Sequence, residues 1–342
     1  MKIWIDARIC DDWSYYAHFV SELIEAFIAE NKEHTIIVYT HKELPYKRNS
    51  SFQNLKVKKI FEAEKFALMI FFDQQIPHTY KGDYIVLLEN LKEIFFPKKR
   101  WIHRKIHSHG LKKALQNCKK VCVLDTGSAM ELNENLDVHE DKIRTISGFF
   151  PSYDIMVQSP LKIDVKLKHN LKSDYLIYDS GNEVHNNFER ILKALKTLRE
   201  RWTILYLFVL CEATTHDLDI RNKVLEYGMS DQMIFLGNIP KAEEIYYYSQ
   251  SVGVIFSSIY ESFPFQFTKA IAYNCPIYAN NIPANISVMW NTIHYLDPLS
   301  IHNMCDILSE STMQHKQEKY WEWEYYPQKS AQTLWEIVEG KN

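Results

Sequence analysis

Residues 252–279 read VGVIFSSIYESFPFQFTKAIAYNCPIYA. An apolar run, Val252–Phe256, passes through a polar turn into a stretch of helical spacing, Phe265–Tyr273, and then into a second apolar run, Pro276–Ala279. Short apolar runs joined through a helix mark a βα unit on a parallel sheet. The same alternation continues towards the N-terminus. Strand-like segments fall at Tyr175–Tyr178, Ile204–Leu210 and Met233–Leu236, and helical patterns at Phe188–Arg199, Asp217–Tyr227 and Ala242–Ser249.

The first half of the chain shows an earlier round of the pattern. Strands are predicted at Ile3–Asp6, Thr35–Tyr39, Tyr84–Leu88 and Val121–Leu124, with a short one at Ile143–Ile146. The helix between the first two spans Ser14–Glu30, with Phe19, Leu23, Ala26 and Phe27 at helical spacing. Residues 151–171 carry prolines and polar residues without a firm period and read as a linker. The expected organisation is therefore an N-terminal Rossmann-like domain over 1–150, a second over 172–318, and a helical tail over 319–342. Ligand crevices are expected at the carboxyl ends of the strands, with the two lobes facing each other across a cleft.

Composition sets outer limits. A chain of 342 residues is long for one core and comfortable for two. With 46% hydrophobic and 24% charged residues it is globular in type. The longest apolar run, Thr203–Cys211, is far too short to span a bilayer. The opening MKIWIDAR reaches Asp6 and Arg8 before a signal-like apolar core forms, so residence in the cytoplasm is expected. The six cysteines show no Cys-x-x-Cys or Cys/His metal spacing and read as reduced thiols. Glycine is scarce, nine in all and none before Gly82, which excludes a glycine-rich phosphate loop near the N-terminus.

Five segments, in order, resemble the family-4 retaining glycosyltransferases of the GT-B fold. They are Lys2–Arg8; Val123–Thr126 with Asp141–Gly148; Tyr175–Asn182; Gly228–Gly237; and Ser257–Phe263 with Ala270 and Cys275–Pro276. The resemblance implies transfer of a sugar from a nucleotide-diphosphate donor to a glycan or lipid-linked acceptor, with retained configuration and no metal or other cofactor. It also implies that the aromatic tail, which includes Trp335, packs back on the first lobe.

The same resemblance assigns roles. Glu261 matches the first Glu of the family's Glu-seven residues-Glu motif and is expected to contact the donor sugar. The second position holds Lys269, and an ammonium cannot accept hydrogen bonds from a ribose diol as a carboxylate does. Ser262 and Pro264 stand where glycines are usual, and Phe263 and Phe265 complete this candidate donor segment. Where the family carries an Arg and a Lys for the diphosphate, this chain has Gly181, Asn182, His185 and Asn186, with His185 the nearest cation candidate. In the first lobe, Glu89 follows a strand; it either positions an acceptor hydroxyl, serves as a base, or is a plain strand-end acid. Arg8, Trp13 and Tyr15 form the candidate acceptor-side loop, where an aromatic ring can stack a sugar.

Residues 97–120 hold nine Lys/Arg and no acid, although the whole chain has a formal charge of −3. Lys98, Lys99, Arg100, Arg104 and Lys105 with Trp101 suit an anionic membrane, which family members tend to meet with this helix, or form a solvated basic face. Nucleic acid is not expected, since no reading motif accompanies the charge. The two functions left open are an active transferase of surface polysaccharide synthesis, peripheral on the inner membrane face, and a degenerate GT-B protein acting as a binding or partner subunit.

Overall fold

The computed structural model describes residues 2–12, 14–31, 33–39, 68–72, 76, 80, 82–96, 101–153, 163–180, 183–210, 218–237, 239–311 and 327–341; within these ranges the side chains of 11, 93, 101–108, 218, 219 and 311 are not described. The chain divides into two compact units, Met1–Pro151 with Glu324–Asn342, and Ser152–Trp323.

In the first unit, strands β1 (Lys2–Asp6), β2 (Thr35–Tyr39), β3 (Leu68–Phe72), β4 (Tyr84–Leu87), β5 (Lys120–Val123) and β6 (Ile143–Thr145) form a parallel sheet ordered β2-β1-β3-β4-β5-β6. β1 pairs with both β2 and β3, so the strand order reverses beside it. β3 is the strand of this unit that the sequence reading leaves out. Its five residues, Leu-Met-Ile-Phe-Phe, are all buried, and an unbroken apolar run has neither strand nor helix period.

The helix Tyr15–Ala29 follows β1. Ser14 caps it by accepting the Ala17 N–H at 3.1 Å, and Phe19, Val20, Leu23, Ile24 and Phe27 turn inward. The C-terminal helix Pro327–Glu339 lies on that helix. The Trp335 ring stacks on Phe27 at 4.0 Å, its indole N–H donates to the Phe27 carbonyl at 2.8 Å, and the Ser330 hydroxyl donates to the Ser147 carbonyl at 2.6 Å. An apolar ring with one satisfied polar atom makes a stable anchor for a terminal helix.

In the second unit, β7 (Tyr175–Tyr178), β8 (Tyr206–Val209), β9 (Met233–Phe235), β10 (Gly253–Phe256), β11 (Ile277–Asn280) and β12 (His294–Leu296) form a parallel sheet ordered β12-β11-β10-β7-β8-β9. Its central strands β7, β10 and β11 are buried along their whole length, as a sheet covered by helices on both faces requires. On one face, Ile191, Leu192, Leu195 and Leu198 of the helix Phe188–Glu200 join Val224, Met304 and Leu308 in one apolar core. Gly253 opens the other side of a close contact: a Cβ there would run into the Tyr278 ring.

The expected helix Phe265–Tyr273 is a 3-10 turn, Phe265–Phe267, followed by the helix Thr268–Ala272. Part of the stretch read as linker is ordered in the second unit. Val165–Lys168 forms a helical turn, with Gln250 accepting from the Val165 N–H at 2.9 Å and donating to the Ile163 carbonyl at 2.6 Å.

Candidate functional site

In a parallel α/β sheet, ligands settle outside the carboxyl ends of the strands where the strand order reverses. In the second unit that point lies between β7 and β10. The turn after β10, Ser257–Pro264, crosses it and carries Glu261, which is partly exposed.

Three strand ends fix this turn. After β7, the 3-10 turn Val184–Asn186 offers its carbonyls: that of His185 accepts the Ile259 N–H at 2.8 Å, and that of Asn186 accepts the Ser257 hydroxyl. The Ser258 hydroxyl donates to Asn186 Oδ1 at 3.3 Å. From the end of β11, the buried Asn280 amide donates to the Ser257 and Ser258 carbonyls at 2.6 and 3.1 Å, and Asn285 donates to the Asn280 carbonyl at 2.8 Å. These bonds between buried groups hold the backbone of the turn, while the amide oxygens of Asn280 and Asn285 are buried and accept no hydrogen bond from the described residues. Glu261 therefore sits on a fixed turn, two residues past Ile259, the last residue that these bonds hold.

Ser262, Phe263, Pro264 and Phe265 are buried, and the Phe263 and Phe265 rings meet at 4.7 Å. Their side chains pack the turn from inside. His185 is also buried, with its Nδ1 3.3 Å from a Glu183 carboxylate oxygen, and Asn186 serves the turn through its carbonyl and amide oxygen. Gly181 and Asn182 lie outside the described residues.

Lys269 is engaged within the unit. Its ammonium lies 3.1 Å from Glu244 and 3.5 Å from Asp179. Burial alone would lower its pKa, but the two carboxylates outweigh burial and hold it above the ordinary lysine value. Three tyrosines complete the group. Tyr153 and Tyr273 donate to Glu244 at 2.5 and 2.9 Å, and Tyr248 donates to Asp179 at 2.9 Å. Burial, then Glu244, pushes the Tyr153 and Tyr273 hydroxyls well above the ordinary tyrosine range, so both remain donors. The sequence reading misses Asp179, Glu244 and Asn280. A visible signal existed for one of them, an acid placed directly after the four apolar residues of β7.

The first unit places its candidates at the carboxyl ends of its own strands. Arg8 follows β1 and is gripped by the buried Asp6 in a two-pronged pair, Nε to Oδ1 at 2.8 Å and Nη2 to Oδ2 at 2.6 Å. That pairing raises the guanidinium pKa, and the group lies 5.7 Å from the centre of the Tyr39 ring. Tyr15 is the first residue of the helix Tyr15–Ala29 and Glu89 follows β4; both are partly exposed. Trp13, Lys98, Lys99 and Arg100 lie outside the described residues, and Trp101, Arg104 and Lys105 belong to the helix Trp101–Asn117, their side chains not described.

A cavity of about 370 Å³ lined by Glu30, Glu33, His34, Trp335, Glu336 and Glu339 lies at the opposite, amino end of β2, away from the strand ends that form crevices. Among the described residues no group of three or more His, Cys, Asp or Glu side chains could hold a metal ion. The Asp217-Leu-Asp219 pattern lies beyond that statement, because Asp217 and the Asp219 side chain are not described.

Two six-stranded parallel sheets, each in its own unit, define the GT-B class of two-lobed α/β fold. Residues 161–293 match the family model of glycosyl transferases group 1. It is 21% identical over 213 residues to the O-antigen chain mannosyltransferase RfbU of Salmonella typhimurium, a match that covers 62% of this chain and 56% of that protein. The chain thus matches just over half the length of that relative. Its fold is shared with sucrose-phosphate synthase from Thermosynechococcus elongatus (TM-score 0.64, 14% identity, 99% of this chain and 96% of the other). It is likewise shared with Anabaena HepE in complex with UDP-glucose (TM-score 0.60, 11% identity, 100% and 97%).

Proposed function

We propose that this chain is a metal-independent, retaining glycosyltransferase that moves a sugar from a nucleotide-diphosphate donor to a glycan or lipid-linked acceptor in surface polysaccharide synthesis. The observation that carries this reading is the fixed turn that presents Glu261 at the β7/β10 strand reversal. A carboxylate held there accepts hydrogen bonds from sugar hydroxyls and favours positive charge at the anomeric carbon as the leaving group departs. HepE, bound to UDP-glucose, and RfbU, an O-antigen mannosyltransferase, support the donor and the pathway class. Acceptor-side roles for Arg8, Tyr15 and Glu89 belong to the same reading.

The test is turnover of a nucleotide-sugar panel with and without EDTA, followed by NMR of the product. The expected result is unchanged turnover in EDTA and a product with the donor's anomeric configuration. Loss of turnover in EDTA or an inverted product would overturn the respective clause.

A second reading, a binding or partner subunit without transfer, is favoured by one observation: the Lys269 ammonium and the His185 ring both lie beside carboxylates within the unit. Acceptor-dependent turnover separates the two.

The basic run of residues 97–120 supports a peripheral site on an anionic membrane, where each cation contributes about 1 kcal/mol. No helix among the described residues is long and apolar enough to cross a membrane. Charge reversal at Lys98, Lys99, Arg100, Arg104 and Lys105 is expected to release the protein from phosphatidylserine vesicles in a flotation assay. Retention of the reversed variant would remove the membrane from the account.

A further inference from the structure

Asp179 is the first residue beyond β7, at the edge of the strand reversal between β7 and β10. Its neighbour Tyr178 turns to one face of the sheet, where its ring meets Phe188 at 4.8 Å. Asp179 takes the opposite face, towards the helices Lys241–Gln250 and Thr268–Ala272. Only one of its oxygens is used there. Oδ2 accepts from the Tyr248 hydroxyl at 2.9 Å and faces the Lys269 ammonium at 3.5 Å, while Oδ1 accepts no hydrogen bond from the described residues. The side chain keeps 21% of its surface accessible.

Glu244, the other carboxylate on Lys269, is in the opposite condition. It is 7% exposed, with Lys269 on Oε1 and two tyrosine hydroxyls on Oε2. One ammonium between two carboxylates leaves the cluster negative, and the open lone pairs are those of Asp179. Such a group repels phosphate and attracts hydrogen-bond donors that carry no negative charge. A carboxylate at a strand end of a Rossmann-like sheet reads paired hydroxyls in this way.

We propose that Asp179 reads a pair of hydroxyl groups on the ligand bound at the carboxyl end of the second sheet, and that Lys269 and Tyr248 are positioning residues for its carboxylate. The inference rests on the reading that this unit binds a nucleotide sugar. A vicinal diol can come from the ribose or from the transferred sugar, and the test separates the two.

The experiment is calorimetric titration of the full chain and of Asp179→Asn with UDP, GDP and ADP, their 2′,3′-dideoxy analogues, UDP-glucose and GDP-mannose. If the diol is the ribose, the native chain binds one ribonucleotide at least about tenfold more tightly than its dideoxy analogue, because hydrogen bonds to a charged acceptor are strong. Asp179→Asn then loses most of that preference. If the diol is on the sugar, the ribose makes no difference, and Asp179→Asn weakens the nucleotide sugar about tenfold while leaving the free nucleotide unchanged. Equal binding of every ligand by native and variant chains overturns the inference and leaves the transferase reading standing. Failure of every nucleotide and nucleotide sugar to bind the native chain overturns both.

A charge exchange, Asp179→Lys with Lys269→Asp, distinguishes reading from mere bracing. It restores the ion pair with the ammonium on the crevice side. The expected result is a recovered thermal midpoint without recovered hydroxyl preference; recovery of both would reduce Asp179 to a structural partner.

Discussion

Lys269→Met is expected to lower the unfolding free energy by about 3 kcal/mol at neutral pH, with the loss shrinking in acid. Removing one member of a buried ion pair costs about 3–5 kcal/mol, because the charge left behind has lost both water and partner. The lower end applies here, since Lys269 and Asp179 each keep about a fifth of their side-chain surface in water. Methionine preserves the volume of the stem, so the effect isolates the charge. Asp179 and Glu244 would then face each other without a cation and bind protons more readily.

The sign follows for both proteins. In the variant, stability recovers as pH falls through the raised carboxylate values. In the native chain, Lys269 titrates above its ordinary value, so its contribution is complete below the unfolded lysine pKa near 10.4 and is lost as pH rises through the folded value. The difference between the two proteins is therefore flat across neutral pH and narrows at either extreme. Urea titrations at pH 5, 7.5 and 11 measure it. A difference that is the same at all three would show that the ammonium is not the counter-charge of this cluster.

Glu261→Gln is expected to lower kcat by at least about 100-fold while leaving the thermal midpoint close to native. Glutamine keeps the size of the side chain and one accepting oxygen, so donor binding changes little. The negative charge opposite the developing oxocarbenium is lost, and removing one fixed electrostatic contact of this kind costs about 2.7–4 kcal/mol of transition-state stabilisation. A fall in kcat with a steady KM identifies a contact made in the transition state. A rise in KM at constant kcat would make Glu261 a ground-state binding residue only. The bonds that hold the turn come from Ser257, Ser258, Asn280 and Asn285, none of which depends on the Glu261 charge.

The two sheets were legible because their strands follow a simple rule. Tyr175–Tyr178 and Val252–Phe256 are short, apolar and bounded by polar turns, and helices of clear period separate them. The sequence reading leaves out β3, although Leu68–Phe72 is an apolar run of the same kind, and β12, a strand of three residues that includes a histidine. In the candidate site the sequence locates Glu261 just after the strand-like run Val252–Phe256, and the family resemblance gives it its expected role. It does not show that His185 faces Glu183, or that Lys269 is held by Asp179 and Glu244. The partners of Lys269 are 25 and 90 residues away and that of His185 is set by one local turn, and no periodicity encodes a pairing between elements joined only by the fold. Lys269 in particular reads from the sequence as a lost hydroxyl acceptor, whereas the structure places an acceptor, Asp179, beside it.

The central claim is that the carboxyl end of the second sheet works on a nucleotide sugar through Glu261. Its most direct test is nucleotide release from UDP-, GDP- and ADP-sugars by the native chain and Glu261→Gln, with a lipid-linked glycan acceptor present or withheld. The account predicts acceptor-dependent release by the native chain with one donor and a loss of at least about 100-fold in the variant. Equal release by the two proteins, or no release by the native chain with any donor, would contradict it.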